Sequence, residues 1–180
     1  MALTRRVVLD TSAYSHLRAG HVALHERLDG AAEIIVPAVV LGELHAGFRG
    51  GARLLDNEAT LERFLEEPFV SVKAVDHEVA LRYGEVFSQL KRSGTPIPTN
   101  DIWIAAVTLE SGAHLLSFDD DFRHVSGLSW TRFRDVRTAA RYRPAAGPAR
   151  AAARAGKRFP RRLVSYRAQC GRGADDTGME

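Results

Sequence analysis

Ile102-Trp103-Ile104-Ala105-Ala106-Val107 is a run of six apolar residues directly behind Asp101. At helical spacing it leaves no polar face, so it predicts a helix buried on nearly every side. A helix of that kind needs packed layers around it, which constrains the fold more than any other stretch of the chain. Asp101 stands in its first turn, where unpaired N–H groups and the helix dipole favour a carboxylate. The buried helix therefore holds one acid in a fixed place, and the remaining segments show what else is brought there.

Short apolar runs alternate with helical patterns along the first 130 residues. Val7-Val8-Leu9 reads as a strand covered on both faces and stops at Asp10-Thr11-Ser12, a capping sequence for a helix over 12–19 closed by Gly20. A second helix is expected over 21–28 and a second strand over 33–36. Pro37 is placed at the first position of a helix running to Phe48. An amphipathic helix is predicted over 52–67, with Leu54, Leu55, Leu61, Phe64 and Leu65 recurring at helical spacing, and a third strand over 69–72. A long helix over 76–93 is expected to turn Val79, Ala80, Tyr83, Val86, Phe87 and Leu90 inward, with Gly94 after it. The helix at 100–111 ends at Gly112. A fourth strand at 114–117, a polar turn or short helix at 119–124 and an edge strand at 128–130 follow. The expectation is an α/β three-layer sandwich around a mainly parallel sheet of four to five strands.

Charge divides the chain in two. Residues 1–137 hold 15 Lys and Arg against 19 Asp and Glu, whereas 138–180 hold 10 against 3, inside a net charge of only +3. Two domains follow from this: a body over 1–135, and a basic Arg/Ala/Gly/Pro-rich tail over 136–180, expected to be disordered because it lacks an apolar face. No secretory leader precedes Val7, and the apolar stretch 34–41 is broken by Pro37 and falls short of the ~20 residues of a membrane span. With a single cysteine, Cys170, the chain is expected to be cytoplasmic and away from membranes.

Ligands of parallel α/β sheets gather beyond the carboxyl ends of the strands. Asp10 and Asp119 follow the first and fourth strands, and Asp101 starts the helix leading into the fourth. Glu43 interrupts an apolar helix, with Val39, Val40, Ala46 and Gly47 three and four positions away. Taken singly, each acid is better explained as a cap, a dipole partner or a solvated turn residue. Four such coincidences together point to one cleft. Converging carboxylates raise one another's pKa values, and a hard divalent cation, Mg²⁺ or Mn²⁺, relieves the conflict with all-oxygen ligands. The chemistry usual for such a site is phosphoryl transfer.

Four blocks, Val8-Leu9-Asp10-Thr11-Ser12, Pro37 to Leu44, Pro98 to Ala106 and Leu115 to Phe122, resemble in order and spacing the motifs of PIN-domain ribonucleases, above all the VapC toxins of bacterial type II toxin–antitoxin pairs. The resemblance spans about residues 5–130. It implies a Mg²⁺-dependent endoribonuclease with Asp10, Glu43, Asp101 and Asp119 as its acidic quartet. Asp10 and Asp101 would be the direct metal ligands, Asp119 would complete the coordination, and Glu43 would orient or deprotonate the attacking water. Thr11, Ser12, Asn100 and Asp121 would be secondary. An RNA substrate, a cognate antitoxin and a homodimer are implied with it. The departure from the pattern is Phe118, where the family more often has a polar or basic residue.

Two other functions fit part of the pattern. A phosphatase forming an aspartyl-phosphate at Asp10 would want a second acid where Ser12 stands. A non-catalytic RNA-binding module would act through the basic tail. His21 and His25, four apart, have zinc spacing but no third ligand, and are expected at the surface. Trp103 is expected in the core, and Cys170 has no base near it in sequence.

Overall fold

The computed structural model describes residues 6–134. The basic tail, with Cys170, lies outside them. The sheet contains β1 (Arg6–Leu9), β2 (Glu33–Pro37), β3 (Val70–Lys73), β4 (His114–Ser117) and β5 (Trp130–Arg132), in the order β3-β2-β1-β4-β5. Every pairing is parallel. Central β1 pairs Val7 and Val8 with Ile34 and Ile35 on one side and with His114 and Leu115 on the other. Val7, Val8 and Leu9 are wholly buried, as an apolar strand covered by helices on both faces requires.

The helices are α1 (Thr11–Arg18), α2 (Val22–Asp29), α3 (Ala38–Arg49), α4 (Leu54–Leu65), α5 (His77–Ser93) and α6 (Thr99–Ser111), with a short 3-10 turn at Asp121–His124. Helices flank the parallel sheet as expected. The axle is α6, with Ile102, Ile104, Ala105, Ala106, Val107 and Thr108 buried. It packs mainly against α5. Both end in a glycine with a left-handed backbone, Gly94 (φ 66°) and Gly112 (φ 58°), whose N–H groups return to the last carbonyls. No helix among the described residues is long and apolar enough to cross a membrane.

Several local expectations are corrected. Pro37 ends β2, paired with Lys73, and α3 begins one residue later. The edge strand lies at 130–132 rather than 128–130, because residues 125–128 form a turn around Gly127, whose φ is 75°. Leu55 stays 79% exposed on α4. His25 is buried, with its Nε2 3.1 Å from the Leu17 carbonyl, and His21 caps α2. On α5 only Val79, Val86 and Leu90 are buried, while Ala80 is exposed and Phe87 is 48% exposed. Trp103 is half-buried, stacked on Tyr83 with ring centroids 3.9 Å apart.

Candidate active site

Asp10 leaves the carboxyl end of the central strand and starts α1. One of its oxygens accepts a 2.6 Å bond from the Ala13 N–H, which makes it the N-cap. The Ser12 hydroxyl lies 2.8 Å from both oxygens, and Ser117 at the end of β4 donates to Oδ2. Asp10 is only 4% exposed. Burial pushes its carboxyl up from the ordinary value, the bonds from Ser117, Ala13 and Ser12 oppose that rise, and the Asp119 charge adds to it.

The same two hydroxyls tie the neighbouring strand end into place. Ser12 Oγ accepts from the Phe118 N–H at 3.0 Å, and Ser117 Oγ accepts from the Asp119 N–H at 2.8 Å. Asp119 in turn accepts from the Asp121 N–H at 3.0 Å, closing a turn that carries both acids. Ser117 was missed as a site residue. Its signal was there to read: a serine, fully buried here, that ends a strand after two leucines and stands two residues before an acid.

Glu43 reaches the cleft from α3. Its Oε1 accepts from Asn100 Nδ2 at 2.7 Å, and its Oε2 accepts from the Thr11 hydroxyl. The starts of α1 and α6 are therefore both bound to the middle of α3 through polar side chains. Of the four residues expected to be secondary, Thr11 and Asn100 hold Glu43, whereas Ser12 and Asp121 belong to the separate set of bonds around Asp10 and Asp119.

Asp101 shows the electrostatic consequence. Its carboxyl is pushed up to about 7, first by burial and then by the charges of Asp119, Asp10, Glu43 and Asp121 in that order. The structure thus brings the whole expected quartet, and Asp121, to one place. The tightest grouping is Asp101, Asp119 and Asp121, which offer carboxylate oxygens within 4.8 Å of one another. Asp10, its oxygens already engaged by two serines and a backbone N–H, lies outside that trio. An all-oxygen donor set in which the four strongest charges on Asp101 are negative fits a hard divalent cation and gives no soft ligand for zinc.

Phe118, at the departure from the family pattern, turns its ring onto His16, with centroids 3.7 Å apart and planes 10° from parallel. Phe133 and His21 complete an aromatic cluster with them beside the acids.

Comparisons with known proteins agree with this geometry. The PIN domain family matches residues 7–128. Ribonuclease VapC4 of Mycobacterium tuberculosis is 31% identical over 124 residues, 66% of this chain and 89% of that protein. Ribonuclease VapC1 of Haemophilus influenzae (strain R2866) is 28% identical over 98 residues, 54% of this chain and 72% of that protein. Among solved structures, VapBC-5 of M. tuberculosis, a member of the VapBC family of toxin–antitoxin systems, superposes with a TM-score of 0.57 at 28% identity, covering 73% of this chain and 99% of that one. With its fold, its acids and its relatives in agreement, the chain belongs to the PIN-domain family, alongside the VapC ribonucleases of VapBC toxin–antitoxin systems.

Proposed function

We propose that the protein is a Mg²⁺-dependent endoribonuclease, with Mn²⁺ able to substitute, and the toxin of a type II toxin–antitoxin pair. The observation that carries this reading is Asp101, a half-buried carboxyl faced by four other acids with its pKa driven to about 7. Such a cluster is costly for a protein on its own and is relieved when a divalent cation is held there. Bound at these carboxylates, the ion would supply Lewis-acid polarisation of a phosphodiester and stabilise the charge on the leaving oxygen.

The chain's own residues have separate roles in this proposal. Asp10 and Asp101 would hold the ion, with Asp119 completing the set and Asp121, whose oxygen lies within 4.8 Å of those of Asp101 and Asp119, beside it. Glu43, fixed by Thr11 and Asn100, aligns the attacking water and takes its proton. Ser12 and Ser117 hold Asp10 and the β4 end in register, so the acids are positioned before substrate arrives. RNA is the substrate class carried by the name ribonuclease in the relatives. A cognate antitoxin is the matching partner. A peptide presenting a basic side chain to this cleft would block it by occupying the charge that the metal otherwise meets.

The proposal extends to a cytoplasmic homodimer, with a nuclease unit over 1–135 and a basic appendage over 136–180. The test uses purified protein with structured RNA, with and without Mg²⁺, beside Asp10→Ala and Asp101→Ala. Metal-dependent internal cuts lost in both variants are expected. Cutting that survives EDTA would overturn the mechanism, and burst release of phosphate from a small monoester without RNA cleavage would favour a phosphatase instead. RNA binding and a cellular effect that both survive Asp101→Asn would favour a non-catalytic RNA-binding module.

A further inference from the structure

Four aromatic rings collect beside the acids, and core packing does not explain where they stand. The aromatics that serve the core, Tyr14, Phe64 and Phe122, are at most 1% exposed. His16, His21, Phe118 and Phe133 are only half-buried, although each lies against another of the four. Phe118 is the middle of the group. It lies flat on His16 at 3.7 Å, inclined by 27° to Phe133 at 5.5 Å and edge-on to His21 at 5.0 Å. A stack that keeps part of itself open offers a surface to one more flat ring.

The rings are anchored to the same groups that hold Asp10. The Phe118 N–H donates to Ser12 Oγ at 3.0 Å, and that hydroxyl lies 2.8 Å from both Asp10 oxygens. His16, one turn along α1, has its Nδ1 2.9 Å from the Ser12 carbonyl. The Phe133 N–H donates to the Ser117 carbonyl at 2.7 Å, and the Ser117 hydroxyl donates to Asp10. Three of the rings are thus fixed in place relative to the acid cluster, as a substrate subsite requires.

The charge beside the rings suits a phosphate backbone. Asp120, two residues after Phe118, accepts from Arg123 through Oδ2 and from Arg132 through Oδ1 at 2.8 Å. Both arginine side chains are exposed, at 55% and 45%. One carboxylate between two guanidinium groups leaves a positive corner next to a negative cleft. A basic peptide drawn to the acids is repelled at that corner, whereas a nucleotide finds stacking for its base and a cation for its phosphate.

We infer that His16, Phe118 and Phe133, with His21 against their edges, form a stacking subsite for an unpaired base of the RNA beside the bond that is cut, with Arg123 and Arg132 serving its phosphate. The inference rests on the nuclease reading above and names what that site selects, a nucleotide whose base can leave its own helix.

The test uses the full chain and a short single-stranded RNA carrying 2-aminopurine, whose fluorescence falls when the base stacks. Binding to Asp101→Asn, used to keep the RNA intact, is expected to quench it. Adding Phe118→Leu or His16→Leu is expected to remove the quench, and adding Phe118→Tyr to keep it. In otherwise unaltered protein, Phe118→Leu is expected to raise KM for Mg²⁺-dependent cleavage about tenfold while kcat changes by less than about twofold. Loss of the quench in either leucine variant supports the subsite and shows which ring carries the base. Quench and KM unchanged in both would overturn it. A fall in kcat and melting temperature with KM and quench held would assign the rings to packing and overturn it too. Antitoxin capture lost in Phe118→Leu, with RNA quenching intact, would give the rings to the antitoxin instead. RNA left uncut by the unaltered protein, with a quench that still depends on Phe118, would overturn the nuclease reading and leave the base subsite standing.

Discussion

Helices α5 and α6 lie against each other, and they solve opposite problems. Six of the thirteen residues of α6 are buried, and the acid in its first turn is held among four other acids. Only three of the seventeen residues of α5 are buried, at Val79, Val86 and Leu90, while Ala80, Leu81 and Phe87 are exposed. A helix enclosed on all sides is positioned by packing and can hold charge where it is unfavourable. A helix packed chiefly on another helix is fixed along a narrow strip, and the rest of it is left to meet something else. The acid cluster lies at the end of the first, and the second keeps Leu81 and Phe87 at the surface.

The largest expected contrast is catalytic. Asp101→Asn is expected to lower Mg²⁺-dependent RNA cleavage by on the order of 10³-fold, since it removes a metal ligand at the reacting centre. Phe87→Glu on α5, assayed in parallel, tests whether activity follows the acid cluster or the exposed face of α5. Next comes packing. Ile104→Ala should destabilise the fold by about 2–5 kcal/mol in a denaturant titration, because the site is fully enclosed. Leu81→Ser on α5 should change single-chain stability by no more than about 0.5 kcal/mol, because it is exposed there. Equal losses from the two would break the comparison.

The acid cluster also makes a pH prediction. The Asp101 carboxyl sits at about 7 in the fold, above its ordinary value of 3.8, so between those values the folded state binds more protons than the unfolded chain. Its contribution to stability is complete below the ordinary value and is lost as pH rises through about 7. Metal-free protein is therefore expected to unfold more readily at pH 8 than at pH 6, and Asp101→Asn or added Mg²⁺ should narrow that difference. A melting profile whose pH slope is unchanged in Asp101→Asn would remove the cluster as its source.

Much of the site was legible in the sequence because strand ends and helix starts carry local signals. An apolar run that stops at an acid placed Asp10 and Asp119, and Glu43 stood out as a charge among small and apolar neighbours. The hydroxyl network was less visible, because Ser12 and Ser117 come from segments more than a hundred residues apart and their bond to one carboxylate exists only in the folded sheet. The orientation of α5 was not legible either. Its apolar residues cover more than one face, and periodicity cannot say that only a strip of them finds a partner within the chain. Ala80 and Phe87 were consequently expected inside, and His25 outside, although it packs beneath α1 with its ring nitrogen on the Leu17 carbonyl.

Asp10 is the N-cap of α1 as well as a member of the acid cluster. Replacing it with alanine silences charge and frees the first turn of a helix in one stroke, so lost activity and a loosened fold arrive together. Asparagine caps as well as aspartate does. That substitution divides the anion's contribution from the anchor's, and a sister protein carrying Asn there would keep its shape while giving up its charge.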